Sequence, residues 1–261
     1  MKISSFNING FKARLPELKY WLSKEKPDIV GLQELKSDSS SFSKDMFADL
    51  GYVGLFNGQK GYNGCGILSK HKIISPSFAL PGTENDGQSR WLSAEINGLM
   101  ICNLYLPNGN PIGTDKLDYK LKWMDNLIHH ARYLLKIGKP VILLGDFNVI
   151  PQEIDCLDPK KWESDALFHP KVRSKFFEIT NLGFYDALRL AARNCQVFTQ
   201  WDYQGGAWQK NNGVRIDHFL LNPLAADLLL SGGVDKYMRS RDRPSDHVPV
   251  WIELLNTGPN V

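Results

Sequence analysis

Val141-Ile142-Leu143-Leu144-Gly145-Asp146-Phe147-Asn148 is a short apolar run that ends in two polar side chains. Pro140 precedes it and Gly145 cuts it off, which reads as a buried strand with Asp146 and Asn148 at its rim. In a pleated extension, positions two apart share a face, so the carboxylate and the carboxamide should point together beyond the strand end. Asp-x-Asn taken alone fits an ordinary turn equally well. Repetition decides between the two. Ile29-Val30-Gly31-Leu32-Gln33-Glu34 ends an apolar run with Glu34, Met100-Ile101-Cys102-Asn103-Leu104-Tyr105 ends another with Tyr105, and Asp217 and Asp246-His247 stand at the starts of two more.

The 261 residues, 43% of them hydrophobic, are enough for one large domain with a substantial core, expected over residues 1–255 with a disordered tail at 256–261. A net charge of +3 permits a nucleic-acid partner without announcing one. Cys65, Cys102, Cys156 and Cys195 are widely spaced with no C-x-x-C pair, which points to reduced thiols in a cytoplasmic protein rather than disulfides or zinc. Met1-Lys2-Ile3-Ser4-Ser5-Phe6 has no long apolar stretch behind a charged lead, so neither a signal peptide nor a membrane span is expected.

Outward from the central run, Lys2 to Phe6 reads as a first strand that Asn7-Ile8-Asn9-Gly10 turns. A helix is predicted over Pro16 to Lys24, and a short one around Met46 after a Ser-rich loop. From Tyr52 to Glu95, Gly and Asn break the chain into pieces that read as antiparallel hairpins. Leu117, Leu121, Met124, Ile128, Ala131 and Leu135 mark the clearest helix, with Lys116, Lys120 and Lys122 off its apolar face and Gly138 at its end. Helices are predicted at Val172–Leu182 and Ala187–Ala192, and strands at Arg215–Leu221, Val234–Met238 and Val248–Leu254. Many short strands with peripheral helices imply two sheets packed face to face with helices outside, so that polar strand ends far apart in sequence can meet in one cleft.

Glu34, Asp146, Asp217 and Asp246, with Asn7, Asn148, Tyr105 and His247, form an oxygen-rich set with one imidazole and no thiolate. Such ligands suit Mg2+ or Mn2+, which share phosphate oxygens with the protein, and the set therefore favours phosphodiester hydrolysis. Individually the residues have plainer readings: a loop histidine, a solvated rim carboxylate, a half-buried tyrosine ring. Asp217 is harder to dismiss, because it interrupts a run that otherwise reads as core and a buried carboxylate needs a partner. His218 should face the other side of that strand, which leaves His247 as the preferred partner.

Six segments, Asn7-Ile8-Asn9-Gly10, Leu32-Gln33-Glu34, Tyr105-Leu106-Pro107-Asn108-Gly109, Gly145-Asp146-Phe147-Asn148, Arg215-Ile216-Asp217 and Ser245-Asp246-His247-Val248-Pro249, resemble in order and spacing the motifs of exonuclease III-type abasic-site endonucleases. These belong to the endonuclease/exonuclease/phosphatase superfamily, and the resemblance runs from Lys2 to Leu254. It implies a four-layer α/β sandwich of two mainly antiparallel sheets flanked by helices. It also implies a Mg2+ (or Mn2+) enzyme that cleaves double-stranded DNA at abasic sites and 3′ ends, leaving a 3′-hydroxyl, and acts as a monomer.

Carried over residue by residue, Glu34 is the main metal ligand with Asn7 and Asp246 beside it, and Asp146, Asn148 and His247 would hold a second ion if there is one. Asp146 activates water or protonates the leaving oxygen, Asn148 and Tyr105 contact the phosphate, and Asp217 orients His247. Trp208, Arg90 and Lys210 are candidate DNA contacts, Trp208 either entering the base stack or folding back on the protein. Two departures bear on substrate. Gln200 stands where relatives often have an aromatic residue, and Leu167 is bulkier than the small residue expected beside an abasic-sugar pocket. A lipid or inositol phosphoesterase of the same superfamily would share the Glu, Asp-x-Asn and Asp-His positions but not the Asn-Ile-Asn-Gly opening. A DNA-binding scaffold without catalysis would lack a ligand or base, and none is missing.

Overall fold

The computed structural model describes residues 1–192 and 195–256, so all of the expected tail except Asn256 lies outside the described residues. In chain order the strands are β1 (Lys2–Asn7), β2 (Ile29–Gln33), β3 (Val53–Asn57), β4 (Cys65–Ser69), β5 (Ile73–Ser77), β6 (Trp91–Ile96), β7 (Leu99–Tyr105), β8 (Val141–Asp146), β9 (Tyr185–Asp186), β10 (Asp217–Leu221), β11 (Leu229–Val234) and β12 (Val250–Leu254). The helices are α1 (Phe11–Glu25), α2 (Asp115–Leu134), α3 (Pro170–Asn181), α4 (Ala187–Ala192) and α5 (Pro223–Ala226). One six-stranded sheet has the order β11-β12-β1-β2-β4-β3 and the other β5-β6-β7-β8-β10-β9. Among the described residues, only β1 with β2 and β7 with β8 pair in parallel, and a helix, α1 or α2, makes each crossover that a parallel pair requires.

Side-chain alternation sorts the core into layers. Val141 and Leu143 of β8 join Trp123, Met124 and Leu127 of α2 and Phe176 of α3 in one cluster, whereas Ile142 and Leu144 join Ile3, Ile29 and Ile67 of the opposing sheet in another. On the far side, Val30 and Leu32 of β2 pack with Leu18, Trp21 and Leu22 of α1. Period two on the strands and period 3.6 on the helices thus build the expected four layers. Asn103, fully buried between the sheets, donates to Leu32 O (2.9 Å) and Gly66 O (2.8 Å) and accepts from Gln33 Nε2 (2.6 Å).

Four local readings change. The helix predicted from Pro16 starts at Phe11, with Pro16 inside it. No α-helix forms around Met46; turns lead to a 3-10 turn at Ala48–Leu50. The strand predicted at Val234–Met238 lies earlier, at Leu229–Val234, and a 3-10 helix occupies Lys236–Ser240. Gly232 and Gly233 hid this edge strand, since glycine has no side chain to show an alternation. Lys120 is fully buried on the inner face of α2 rather than lying off it. All four cysteines are free, three of them buried and Cys195 exposed.

Candidate active site

Sheet register brings the polar termini together. Tyr105 of β7 and Asp217 of β10 both pair with Asp146 of β8, so the three stand side by side on one sheet edge. Asn7 pairs with Gln33 at the corresponding edge of the other sheet, with Glu34 next in the chain. The geometry just before Asp146 admits only glycine. Gly145 has φ +142, and a Cβ there would sit 1.9 Å from Leu104 O. Asn148 does not continue the pleat: its φ of 48 turns the chain, and its backbone N–H donates to Asp146 Oδ1 at 2.8 Å. The two side chains converge through this turn, and both are buried.

Asn7 lies between two carboxylates, its Nδ2 donating to Glu34 Oε1 and to Asp146 Oδ2, each at 2.9 Å. Its Oδ1 accepts from the Asn9 N–H at 3.0 Å. His247 Nδ1 meets Asp217 Oδ2 at 2.8 Å, and its Nε2 lies 3.7 Å from Asp146 Oδ2. The pairing read from sequence is therefore the one formed. His218 faces away, as expected, with Nε2 at 3.0 Å from Val149 O and Nδ1 at 3.0 Å from Arg215 Nη1. Asp246 accepts from Asn9 Nδ2 at 2.8 Å and from Gln200 Nε2 at 3.2 Å. Asn148 accepts from Asn108 Nδ2 (3.1 Å) and donates one amide hydrogen to Leu106 O (2.9 Å), leaving the other free for a ligand. Arg90 stacks its guanidinium over the half-buried Tyr105 ring at 4.9 Å.

Burial drives the electrostatics. It pushes the Asp146 carboxyl above the ordinary carboxylate range, His247 opposing and Asp217 and Glu34 adding to the rise. Burial alone would depress His247, but Asp217 and then Asp146 outweigh it, so the ring is held as imidazolium well above its ordinary range. Tyr105 stays a phenol, raised by burial and by the charges of Glu34 and Asp146. The pocket thus gathers a protonated imidazole, a phenol and carboxylates short of positive charge.

Glu34, Asp146 and His247 bring their polar atoms within 4.8 Å of one another, and with the imidazole protonated the two carboxylates are the groups that could hold an ion. Lys36 already sets an ammonium 2.7 Å from Glu34 Oε2, which shows a cation accommodated at that carboxylate. The donor set fits a hard divalent cation. Among the residues expected at the metal, Glu34 is in this cluster, whereas Asn7 turns its N–H groups to the carboxylates and Asp246 is engaged by Asn9 and Gln200.

A cavity of about 560 Å³ opens over this constellation, lined by Glu34, Tyr105, Asn108, Asp146, Asn148, Asp246 and His247. Trp162, Leu167 and Ile216 give it an apolar wall, and Gln200, Gln204 and Gly205 close another side. Lys36, Lys120 and Trp162 were not singled out from sequence. For Lys120 the signal was present, since it falls three after Leu117 and four before Met124 on the apolar stripe. Of the candidate DNA contacts, Arg90 stands at the cavity against Tyr105, whereas the other two are engaged within their own loop region. Trp208 is folded edge-on against Trp201 (5.1 Å), with Lys236 and Arg239 over its ring, and Lys210 donates to Gly205 O at 2.8 Å in the same loop.

A family model described as the endonuclease/exonuclease/phosphatase family matches residues 4–247. The chain is 31% identical to an exodeoxyribonuclease III of Haemophilus influenzae, over 97% of this chain and 100% of that one. Among solved structures, a 3′ phosphatase, NExo, from Neisseria bound to a product DNA hairpin superposes with a TM-score of 0.95 at 35% identity, covering 98% of this chain and 99% of that one. An AP endonuclease from Archaeoglobus fulgidus superposes at 0.93 with 34% identity, covering 97% and 99%. No described helix is long and apolar enough to cross a membrane.

Proposed function

Because the chain belongs to the endonuclease/exonuclease/phosphatase family, as a hydrolytic nuclease, we propose that it is a Mg2+-dependent DNA repair enzyme that processes 3′ ends of duplex DNA in preference to internal abasic sites. The observation that carries this reading is the cavity wall. Leu167 and Trp162 fill the apolar side, and Gln200 is tied to Asp246 at 3.2 Å instead of offering an aromatic face. A terminal nucleotide is already partly free of the stack, whereas an internal site has to be extruded into the cavity against the Leu167 side chain. A 3′-terminal nucleotide and an internal abasic site present the same kind of scissile phosphodiester, and a 3′-phosphate presents a monoester of the same phosphoryl group, so abasic-site cleavage is retained at a lower rate.

In this reading Asp217 fixes His247 so that Nε2 donates to a phosphoryl oxygen, and Asn148 donates its free amide hydrogen beside it. Tyr105, held as a phenol, supplies a third donor. Asp146, raised by burial and within reach of His247, carries the proton to or from the reacting oxygen. Mg2+ held by Glu34 and Asp146, with Asn7 and Asp246 nearby, would neutralise phosphoryl charge and lower the pKa of a bound water. Mn2+ fits the same oxygens, and either one or two ions. The free, mostly buried thiols are in keeping with the cytoplasm.

The test uses end-labelled duplexes with a recessed 3′-hydroxyl, a 3′-phosphate or an internal abasic site, with and without Mg2+. Faster turnover of the 3′-terminal substrates, abolished by chelation, is expected. Faster internal incision would overturn the preference.

A further inference from the structure

We propose that Lys120 is a positioning residue for the reaction: its buried Nζ fastens together the loops that carry Asn108, Asn148 and Leu167. The inference rests on hydrolysis at this site but not on which DNA end is preferred.

Lys120 is 0% exposed on the inner face of α2. Its Nζ donates to Asn108 O (2.8 Å) and Asn148 O (2.6 Å) and reaches Ala166 O (3.5 Å). An ammonium has three donors, and here each is taken by a carbonyl from a different loop. The first follows β7, the second follows β8 and the third precedes Leu167. No carboxylate is among its hydrogen-bond partners among the described residues, and burial brings its pKa down to about 7, with Asp146 and Asp165 only partly opposing. For packing α2 alone a methionine would do better, because burying an unpaired cation is costly. What an apolar side chain cannot do is bind three converging carbonyls at once.

The loop is laid directly on the lysine stem. Gly109 has φ +89, and a Cβ there would lie 2.6 Å from Lys120 Cδ and 3.1 Å from Ala166 Cβ. The side chains fixed by this hub face the cavity: Asn108 donates to Asn148, and Asn148 and Leu167 line the wall. A shift of the hub would move the amide meant for the phosphate and the wall meant for the sugar together.

The experiment compares the parent with Lys120→Met, reading kcat and KM on whichever of the abasic-site, recessed 3′-hydroxyl or 3′-phosphate duplexes the parent cleaves fastest. A wrong substrate preference therefore leaves the test intact. Circular dichroism and a cooperative thermal transition establish that the variant is folded. The expected result is a kcat lower by about 100-fold, the scale for removing one preorganised donor, with KM changed by less than about threefold because distant phosphates set DNA affinity. A folded Lys120→Met protein whose kcat is within about threefold of the parent overturns the proposal, because a purely structural lysine would lower the thermal midpoint and leave turnover alone. Should Lys120→Met not fold, Gly109→Ala carries the test. It presses on the lysine stem while keeping the Nζ, and is expected to lower kcat by about tenfold at similar KM, whereas an unchanged kcat overturns the proposal.

Discussion

Glu34 and the Asp217–His247 pair illustrate two ways in which a single side chain is committed to chemistry. Glu34 sits just past a strand end, partly exposed, and contributes nothing to the core; its oxygens go to Asn7 and Lys36. Glu34→Ala should therefore leave the thermal transition nearly in place and remove metal-dependent cleavage, with excess Mg2+ restoring only part of it. Near-parent activity at low Mg2+ would show that the ion is held elsewhere. Asp217 and His247 are joined at 2.8 Å and both are buried, so neither acts alone. Asp217→Asn and His247→Asn should each lower kcat by roughly two to four powers of ten, and the double variant should be little worse than the weaker single one. A full double-mutant cycle decides it, because additive losses would mean that the two side chains work independently.

At the scale of elements, the loops that follow β8 and precede β10 set the shape of the cavity. Leu167 packs with Ile150, Val214 and Ile216, while Gln200 bridges Val214 and His247 in the backbone and Asp246 through its side chain. Gln200→Trp and Leu167→Gly should each raise incision at an internal abasic site relative to 3′-end removal, read as the ratio of kcat/KM values on matched duplexes. Trp208→Ala should lower the thermal midpoint and leave that ratio alone, since the ring is spent on Trp201. If neither cavity variant moves the ratio, the wall does not choose the substrate. The same loops show where a sequence is legible. Strands β7, β8 and β10 could be read because their apolar runs end abruptly in Tyr105, Asp146 and Asp217, and register then aligns those ends. The roles of Lys120 and Trp162 could not be read, because they depend on carbonyls 28 and 46 residues from Lys120 and on cavity walls contributed by other distant segments. Likewise the turn at Asn148 depends on Asp146 accepting its N–H, which a pleat drawn from periodicity does not foresee.

Across the whole molecule, the active site rests on a buried ionic layer that links the far side of the second sheet. Arg215, fully buried, binds Asp155 through Nε (2.7 Å) and Nη2 (3.1 Å) and Asp186 through Nη1 (2.7 Å), and Arg189 pairs with Asp155 as well. His218 completes the layer, packed between Phe147 and Phe176. Its hydrogen bonds are satisfied only by the neutral ring, with Nε2–H donating to Val149 O and Nδ1 accepting from Arg215. A second proton would face the guanidinium. Burial first, and then Arg215, accordingly bring the His218 pKa down to about 4, Asp186 only partly opposing. Unfolded, the ring titrates near about 6.5. Between those values the unfolded chain binds a proton that the folded protein refuses, so this contribution is fully present above pH 6.5 and is lost as pH falls toward 4. The parent's own pH profile hides the effect, because Asp146, with its pKa raised, contributes with the opposite sign in the same interval. The difference between two proteins isolates it. His218→Gln keeps an amide donor but cannot ionise, so it should be less stable than the parent near pH 7.5. That gap should then narrow by up to about 1.4 kcal/mol per pH unit between pH 6.5 and 4, in urea titrations at matched ionic strength. A gap that stays constant across the interval would mean that His218 takes up its proton alike in the folded and unfolded states, and that the layer beneath the site draws its stability from Arg215 and its two carboxylates alone.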